Sequence, residues 1–406
     1  MEKHSRLPAV AARRRAFLAA GLGVAVALAA GAGVSVHAGS GSRATPARAA
    51  SSRPASHPEA VLTAMQRRAG TWKLLPAAPV TTFPEFTVSV WTGREMIIHG
   101  SLNSGAVTLA YRPAANRWKK LASGPALLTL QTDDIAVWTG SRMLVPGLTN
   151  GAYNPVTNTW RRIAPDPGPQ GGAVVGWTGR QLLVWGGNCC ASTSNGGEAY
   201  TPATNTWRAL PAAPVQPRRA AMGAWTGKEL VVAGGVTGEG SIGSPVKAVR
   251  SAAAYNPATR TWRKLPLMPA GTAVGGTAVW DGKEVLFLGV GTAFNSPSAR
   301  GVAYNPATNR WRRLPAMPFA RDGFAAVWTG RQALVWGGLT GAGVPPPHGE
   351  AFNPATNRWT ALPASPLRGR ADPTAVWTGR QMIVWGGDNK NGKSYTDGAA
   401  YTPGAP

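Results

Sequence analysis

A repeated pattern with a period of about 48 residues constrains the fold of this 406-residue chain more than any other feature. The first half of the repeat is a Trp, then Thr-Gly or Asp-Gly, then an alternating apolar run. Gly supplies the positive φ that a tight hairpin needs, so this half predicts two antiparallel strands. A repeat of this length is typical of a four-stranded propeller blade. The pattern occurs at Trp91, Trp138, Trp177, Trp225, Trp280, Trp328 and Trp377.

The second half of the repeat predicts the other two strands of each blade. In the copy from Tyr153 to Trp160, an aromatic residue precedes the segment Asn-Pro-Val-Thr-Asn, and a Trp follows it. Segments of this composition form turns between strands. The same arrangement recurs at Tyr111, Tyr200, Tyr255, Tyr304 and Phe352.

The two ends of the repeat region each carry half of one further unit. Tyr401 has no Trp strand after it, and the strand around Trp72 has no partner before it. The 51 Gly and 35 Pro are scattered without a period of three, which excludes a collagen helix or a coiled coil. The sequence therefore predicts an all-β, seven-bladed β-propeller with four antiparallel strands per blade. An N-terminal strand near Trp72 closes the ring by pairing with the C-terminal strands near Tyr401.

Residues 71–406 resemble the kelch-repeat β-propeller family. The resemblance is carried by a double Gly at the end of the second strand, as in Gly386-Gly387, and by the later Tyr-Asn-Pro and Trp. It implies the propeller fold, as in the central domain of galactose oxidase, but no single function, since such propellers include binding scaffolds, a copper oxidase and sugar isomerases. The double Gly is absent at Ile98-His99-Gly100-Ser101 and at Val145-Pro146-Gly147. We expect distorted second strands at these two places.

The N-terminal segment resembles an export signal. Arg14 and Arg15 precede an uncharged run that ends at the small-residue site Val36-His37-Ala38, so residues 1–38 are interpreted as a twin-arginine-like signal. An ordinary secretory signal and a retained membrane anchor are the alternatives. Residues 39–70 read as an Ala-, Ser-, Pro- and Arg-rich tether with a short helix. We therefore expect a secreted or cell-envelope protein.

The parity of the strands divides the turns between two faces of the propeller. The Trp-Thr-Gly and Asn-Pro turns share one face, which we call the repeat face because its sequence is nearly the same in every blade. The links after the double Gly and the links between blades share the other, the variable face, and these links differ in length and chemistry. Variable loops on a regular scaffold are the usual location of binding residues, so we place a candidate site there.

Arginines lie seven residues before three of the repeat-face tryptophans, where the inner strands begin. Guanidinium groups at the mouth of the channel suit a carboxylate or sulfate. The alternative is structural: buried ion pairs that join neighbouring blades. Acidic residues nearby and at related positions in the first two blades suit sugar hydroxyls or are simply solvated. The candidate binding residues are Arg218, Arg321, Asp322, Arg370, Asp372, Glu85 and Asp134, the last beside Asp133.

Cys189 and Cys190 form the only cysteine pair and lie in a variable link. Outside the cytoplasm, adjacent cysteines can form a disulfide that stiffens a loop, and two free thiols are the alternative. No metal site or cofactor is predicted, because two adjacent thiolates are not a zinc site and the propeller has only His99 and His348. A copper oxidase would need at least two His ligands near the channel, which these positions do not offer.

The net charge of +25 comes from 42 Lys and Arg against 17 Asp and Glu. Many of these charges follow the Trp of the fourth strand, in pairs such as Lys119-Lys120, Arg161-Arg162, Arg263-Lys264 and Arg312-Arg313. Because the position repeats, we interpret it as a solvated rim that discourages edge pairing, rather than a nucleic-acid groove. An anionic cell wall or acidic glycan remains compatible with the charge.

These features favour a binding or interaction scaffold over an enzyme. The expected partner is a glycan or protein that contacts the variable face at the cell envelope, with no nucleic acid and no cofactor. We expect a monomer, tethered to the membrane only if the N-terminal segment is not cleaved. The alternative is a kelch-type carbohydrate-active enzyme, either a sugar isomerase or a sialidase-like hydrolase that would use the three arginines for a substrate carboxylate.

Overall fold

The computed structural model describes residues 70–404, apart from 82–84, 103–104, 126–135, 147–149, 169–171, 188–192, 239–245, 294–295, 347 and 390–392. The interpreted signal, tether and short helix, and the cysteine pair at 189 and 190, lie outside the described residues. The described part is built of β-strands, with one 3-10 helix at Pro113–Ala115. None of it belongs to an apolar helix of membrane-spanning length.

The strands form seven antiparallel sheets of four strands each, which confirms the predicted fold. The first strand in the described part of the chain is β1 (Thr71–Leu74). Blade 1 contains β2 (Glu85–Trp91), β3 (Met96–Leu102), β4 (Gly105–Arg112) and β5 (Arg117–Lys120). Blade 2 contains β6 (Val137–Trp138), β7 (Met143–Val145), β8 (Gly151–Asn154) and β9 (Thr159–Arg162). Blade 3 contains β10 (Val174–Trp177), β11 (Leu182–Trp185), β12 (Gly197–Thr201) and β13 (Thr206–Ala209).

The other four blades follow the same order. Blade 4 contains β14 (Met222–Trp225), β15 (Leu230–Ala233), β18 (Ala252–Asn256) and β19 (Thr261–Leu265), with a small ribbon of β16 (Val236–Thr237) and β17 (Lys247–Ala248) in its variable link. Blade 5 contains β20 (Thr277–Trp280), β21 (Val285–Leu288), β22 (Gly301–Asn305) and β23 (Arg310–Arg313). Blade 6 contains β24 (Asp322–Trp328), β25 (Ala333–Leu339), β26 (Glu350–Asn353) and β27 (Arg358–Ala361). Blade 7 contains β28 (Thr374–Trp377), β29 (Met382–Trp385) and β30 (Gly398–Thr402).

Blade 7 is completed by β1, as the sequence predicts. β1 pairs antiparallel with β30, and Trp72 lies opposite Tyr401. The rings of these two residues lie 5.1 Å apart, the same separation as Tyr111 and Trp118 in blade 1. The composite blade therefore has the same internal packing as a blade made from continuous sequence.

The prediction that the second strand is distorted is wrong for blade 1. There β3 pairs with β4 without interruption from Met96 to Leu102, and the irregularity lies in β2, between Glu85 and Val88. In blade 2 the second strand is short, with only three residues in β7. A Gly pair is thus not required for a regular second strand.

The hydrophobic core is divided among the spaces between blades. In the described part of the chain, seven apolar clusters each join one blade to the next around the ring. The cluster between blades 7 and 1, for example, brings Ile383 and Trp385 against Met96 and Ile98. A single blade cannot cover its apolar faces alone, so the closed ring is the unit that buries them.

The Trp of every fourth strand forms a hydrogen bond to the preceding blade. Each indole Nε1 donates to a backbone carbonyl that follows the fourth strand of that blade, over 2.8 to 3.0 Å. The donors are Trp72, Trp118, Trp160, Trp207, Trp262, Trp311 and Trp359, with acceptors Pro363, Pro76, Ala122, Ala164, Pro211, Pro266 and Pro315. Each of these part-buried or exposed hydrogen bonds ties one blade to its neighbour at the same point.

Candidate functional site

The three predicted arginines lie inside the blades. Arg218 and Arg321 are 1% exposed and Arg370 is fully buried. The Nη1 group of each donates to the carbonyl of the Gly sixteen residues later, which is the first Gly of the double-Gly pair. Both glycines of each pair have a positive φ, so this carbonyl follows a backbone turn that Gly adopts at low cost.

Arg218 shows how one side chain joins several segments. Its guanidinium donates to the carbonyl of Gly234, just after β15, and to the carbonyl and hydroxyl of Ser251, just before β18. Its backbone amide donates to Ser194 and its carbonyl accepts from Gly187, both in blade 3. Burial lowers the pKa of Arg218 to about 10, so the group stays charged at neutral pH. This arginine holds two strands of blade 4 together and fixes blade 4 to blade 3.

Arg321 and Arg370 add carboxylate partners to the same arrangement. Nη2 of Arg321 lies 2.9 Å from Oε1 of Glu350, and both side chains are fully buried. Burial raises the pKa of Glu350, and the nearby guanidinium opposes that rise. Nη1 of Arg370 lies 2.6 Å from Oδ1 of Asp397, whose side chain is half exposed. The guanidinium of Arg370 also lies over the ring of Tyr395.

The three guanidinium groups do not converge on the channel. They lie in blades 4, 6 and 7, and their hydrogen bonds are to backbone and side chains of their own blades. An anion site would need them open to solvent at one place. The geometry therefore favours a structural role for these arginines, but their side-chain hydrogen bonds and ion pairs lie within one blade and do not join neighbouring blades as the structural alternative expects.

The structure does bring together two of the predicted aspartates. Asp322 begins β24 in blade 6, and Asp372 lies just before β28 in blade 7. The amide of Asp372 donates to the carbonyl of Gly323 over 2.7 Å, which sets the two acidic residues side by side where the inner strands begin. Asp372 is exposed, and burial raises the pKa of Asp322. For the remaining candidates, the side chain of Glu85 and the whole of Asp134 lie outside the description.

A second carboxylate pair was missed by the sequence reasoning. Asp166 lies in the link from blade 2 to blade 3, and Glu198 lies on the third strand of blade 3, packed against Gly168 of that link. Burial raises the pKa of Asp166 to about 6, and burial together with the charge of Asp166 raises the pKa of Glu198 to about 7. The sequence does mark Glu198 as unusual, because blades 4 and 7 have Ala253 and Ala399 at the equivalent position of the third strand.

The prediction of a solvated basic rim is wrong for two of its arginines. Arg263 binds both carboxylate oxygens of Glu229 and also donates to Asn309 of blade 5. Arg312 binds Glu284 in the same way and donates to Asn357 of blade 6. These side chains are part of the contacts between blades on the repeat face. The sequence feature that indicates these ion pairs is the acidic residue four positions after Trp225 and Trp280.

Comparisons with known proteins support the fold alone. The chain is similar to the solved structure of a fungal alcohol oxidase of the AA5 family in complex with copper. The TM-score is 0.64 at 16% sequence identity, and the match covers 82% of this chain and 76% of that chain. No family model matches the sequence. No curated protein matches it either.

The two histidines that the structure describes, His99 and His348, do not fit a copper centre like that of a copper oxidase. His99 is buried in blade 1, with Nε2 3.0 Å from the carbonyl of Pro125 and Nδ1 3.0 Å from the hydroxyl of Thr108, so both nitrogens have partners. Burial lowers the pKa of His99 to about 4. His348 lies in blade 6, with Nδ1 close to the carbonyl of Gly349. Over the described ranges, no three His, Cys, Asp or Glu side chains form a group that could hold a metal ion.

Proposed function

We propose that this chain is an exported, monomeric kelch-type propeller that acts as a binding scaffold at the cell envelope. Its variable face would contact a glycan or a protein partner, and no nucleic acid or cofactor is required. The observation that carries this proposal is the difference between the two faces. The turns of the repeat face are built from the same hydrogen bonds in blade after blade, whereas the links of the variable face differ in every blade.

Blade 7 offers the best-defined binding surface on the variable face. Asp372 and Asp397 are exposed there, and Tyr395 is half-buried with its ring over Arg370. Carboxylates beside an aromatic ring suit sugar hydroxyls and the apolar face of a sugar, and they suit a polar peptide equally. The ring of Tyr395 is held in place by the guanidinium beneath it, so little side-chain entropy is lost on binding.

A glycan array and a pull-down from envelope extracts test this proposal. Asp372→Asn removes a carboxylate charge and Tyr395→Phe removes a hydroxyl, so we expect each variant to bind its partner more weakly. Both variants keep the backbone turn and the ring over Arg370, so we expect an unchanged unfolding midpoint. Arg310→Ser, an exposed change on the repeat face, serves as the matched control. Equal binding by all three variants and the wild type would exclude blade 7 as the contact surface.

A carbohydrate-active enzyme is the second candidate, and the carboxylate pair supports it. A general acid works best with a pKa near neutrality, and Glu198 has a pKa of about 7 beside Asp166. The buried arginines give no support to a sialidase-like mechanism. Glycoside hydrolysis and aldose-ketose isomerisation assays with Glu198→Gln test this candidate. Turnover that survives the substitution would exclude Glu198 as the acid.

A further inference from the structure

The hairpins between the first and second strands carry a second repeated feature. Each is a two-residue loop closed by a backbone hydrogen bond, such as the bond of 3.0 Å from Thr92 N to Glu95 O. The first loop residue is always Gly, with φ between 87° and 95°, as in a type II′ turn. The second loop residue is basic in six blades and Ser141 in blade 2; the six are Arg94, Arg180, Lys228, Lys283, Arg331 and Arg380.

These six side chains lie around the axis of the ring on the repeat face. The first strands of blades 3 to 7 contact one another in order, and β28 contacts β2 of blade 1, so their hairpins surround the centre. All six residues are exposed. The loops are short and hydrogen-bonded, so the backbone positions of the six charges are fixed relative to one another.

The charges of this basic hairpin ring are not neutralised by neighbouring residues. None of the six side chains forms an ion pair or a side-chain hydrogen bond with any residue that the structure describes. The glutamates that close three of the hairpins are each bound by an arginine of their own blade: Glu95 by Arg112 at the end of the third strand, and Glu229 and Glu284 by Arg263 and Arg312 of the fourth strands. Asp281 is the acid that remains in these loops, and it accepts the backbone amides of Lys283 and Glu284.

We propose that the basic hairpin ring is a docking surface for a linear polysaccharide that carries carboxylate or sulfate groups. Six separated cations on one face can each contact a different charged group along such a polymer, which a single small anion cannot do. Binding of single-stranded nucleic acid relies on exposed aromatic rings for base stacking. In the described part of the repeat face no aromatic side chain is exposed, and the Trp before each hairpin is partly buried. This surface is opposite the one proposed above and does not depend on it.

Titration of heparin against the full chain, over a range of salt concentrations, tests the docking surface. The triple variant Arg180→Ser, Arg331→Ser and Arg380→Ser places in three blades the residue that blade 2 already has at this position. We expect binding about tenfold weaker or more, and a slope of log affinity against log salt that is shallower by about 2. The same three positions changed to Lys keep the charge and should keep the affinity.

The matched control is the triple variant Arg300→Ser, Arg368→Ser and Lys393→Ser, which removes three exposed cations from the variable face. It changes the net charge equally, so we expect less than about a threefold loss if location matters. Equal losses in both triple variants, or no heparin binding by the wild type, would overturn the proposal. Tighter binding to a DNA oligonucleotide than to heparin, with the same dependence on the three arginines, would overturn the assignment to a polysaccharide. Circular dichroism of each variant confirms that the fold is kept.

Discussion

At the scale of single residues, the turn between the third and fourth strands depends on one Asn. In blades 1, 2, 3 and 5 this Asn has a positive φ, and its side-chain oxygen accepts the hydroxyl of the Tyr five residues earlier, over 2.8 to 2.9 Å. Asn tolerates the left-handed conformation better than most residues. Blade 4 has Arg260 at this position, with φ of 58°, and the buried hydroxyl of Tyr255 has no hydrogen-bond partner among the described residues.

Arg260→Asn is therefore expected to stabilise the protein. The new side chain supplies the acceptor that Tyr255 lacks and relieves the strain of a long side chain at positive φ. We expect the free energy of unfolding in urea to rise by about 1 kcal/mol. Two controls separate the causes. Arg260→Ala removes the charge without supplying an acceptor, and Arg260→Asn made in a Tyr255→Phe background should lose most of the gain. An equal gain from Ala would contradict the hydrogen-bond explanation.

The carboxylate pair predicts how stability depends on pH. The pKa of Glu198 is raised from 4.5 to about 7, so between these values the folded protein holds a proton that the unfolded chain has released. The stabilisation linked to this proton is complete below about pH 4.5 and is lost as the pH rises through about 7. Urea unfolding of the wild type and Glu198→Gln at about pH 4.5 and about pH 8 measures it. The variant should lose less stability over this interval, and identical pH profiles would contradict the raised pKa.

At the scale of the blade, the buried arginine replaces contacts that strands alone cannot make. The carbonyl of Gly234, just after β15, and that of Ser251, just before β18, both accept hydrogen bonds from the Arg218 guanidinium, and Ser251 also accepts one from the backbone amide of Gly234. Arg218→Ala removes the guanidinium donors of the Gly234 and Ser251 carbonyls and opens a cavity, so we expect a loss of about 3 kcal/mol in the free energy of unfolding. Arg310→Ala removes an exposed cation and should change it by less than about 0.5 kcal/mol. Thermal unfolding followed by tryptophan fluorescence compares the two variants, and equal midpoints would show that the buried contacts add nothing.

The architecture of each blade is predictable because its determinants are local. The Gly at position 93 and the Asn at position 158 set turns through their own φ, and the strands beside them follow the turns. The site is different, because its chemistry depends on contacts between blades. No local pattern shows that Arg321 is buried against Glu350, or that the link bearing Asp166 packs beside Glu198. The sequence locates the three arginines just before the inner strands, but whether they face the channel or the blade interior is decided by packing.

At the scale of the whole molecule, stability depends on closing the ring with a strand from the other end of the repeat region. β1 covers the outer edge of β30 over four residue pairs. It also provides Trp72, whose indole donates to Pro363 of blade 6 and whose ring packs on Tyr401. Without β1, blade 7 would have three strands, an open edge and an uncovered apolar surface next to blade 6.

A chain that begins at residue 76 should therefore be much less stable than one that begins at residue 70. The shorter chain loses β1 and the contacts of Trp72, so we expect an unfolding midpoint lower by about 10 °C or more and increased light scattering from edge-to-edge association. Trp72→Phe and Trp207→Phe each remove one hydrogen bond of the same kind, at the closure and within the continuous ring respectively. Similar small losses from these two variants would show that the closure hydrogen bond is equivalent to the others. Equal midpoints for the two chain lengths would contradict the closing role of β1, because the open edge of β30 would then cost nothing.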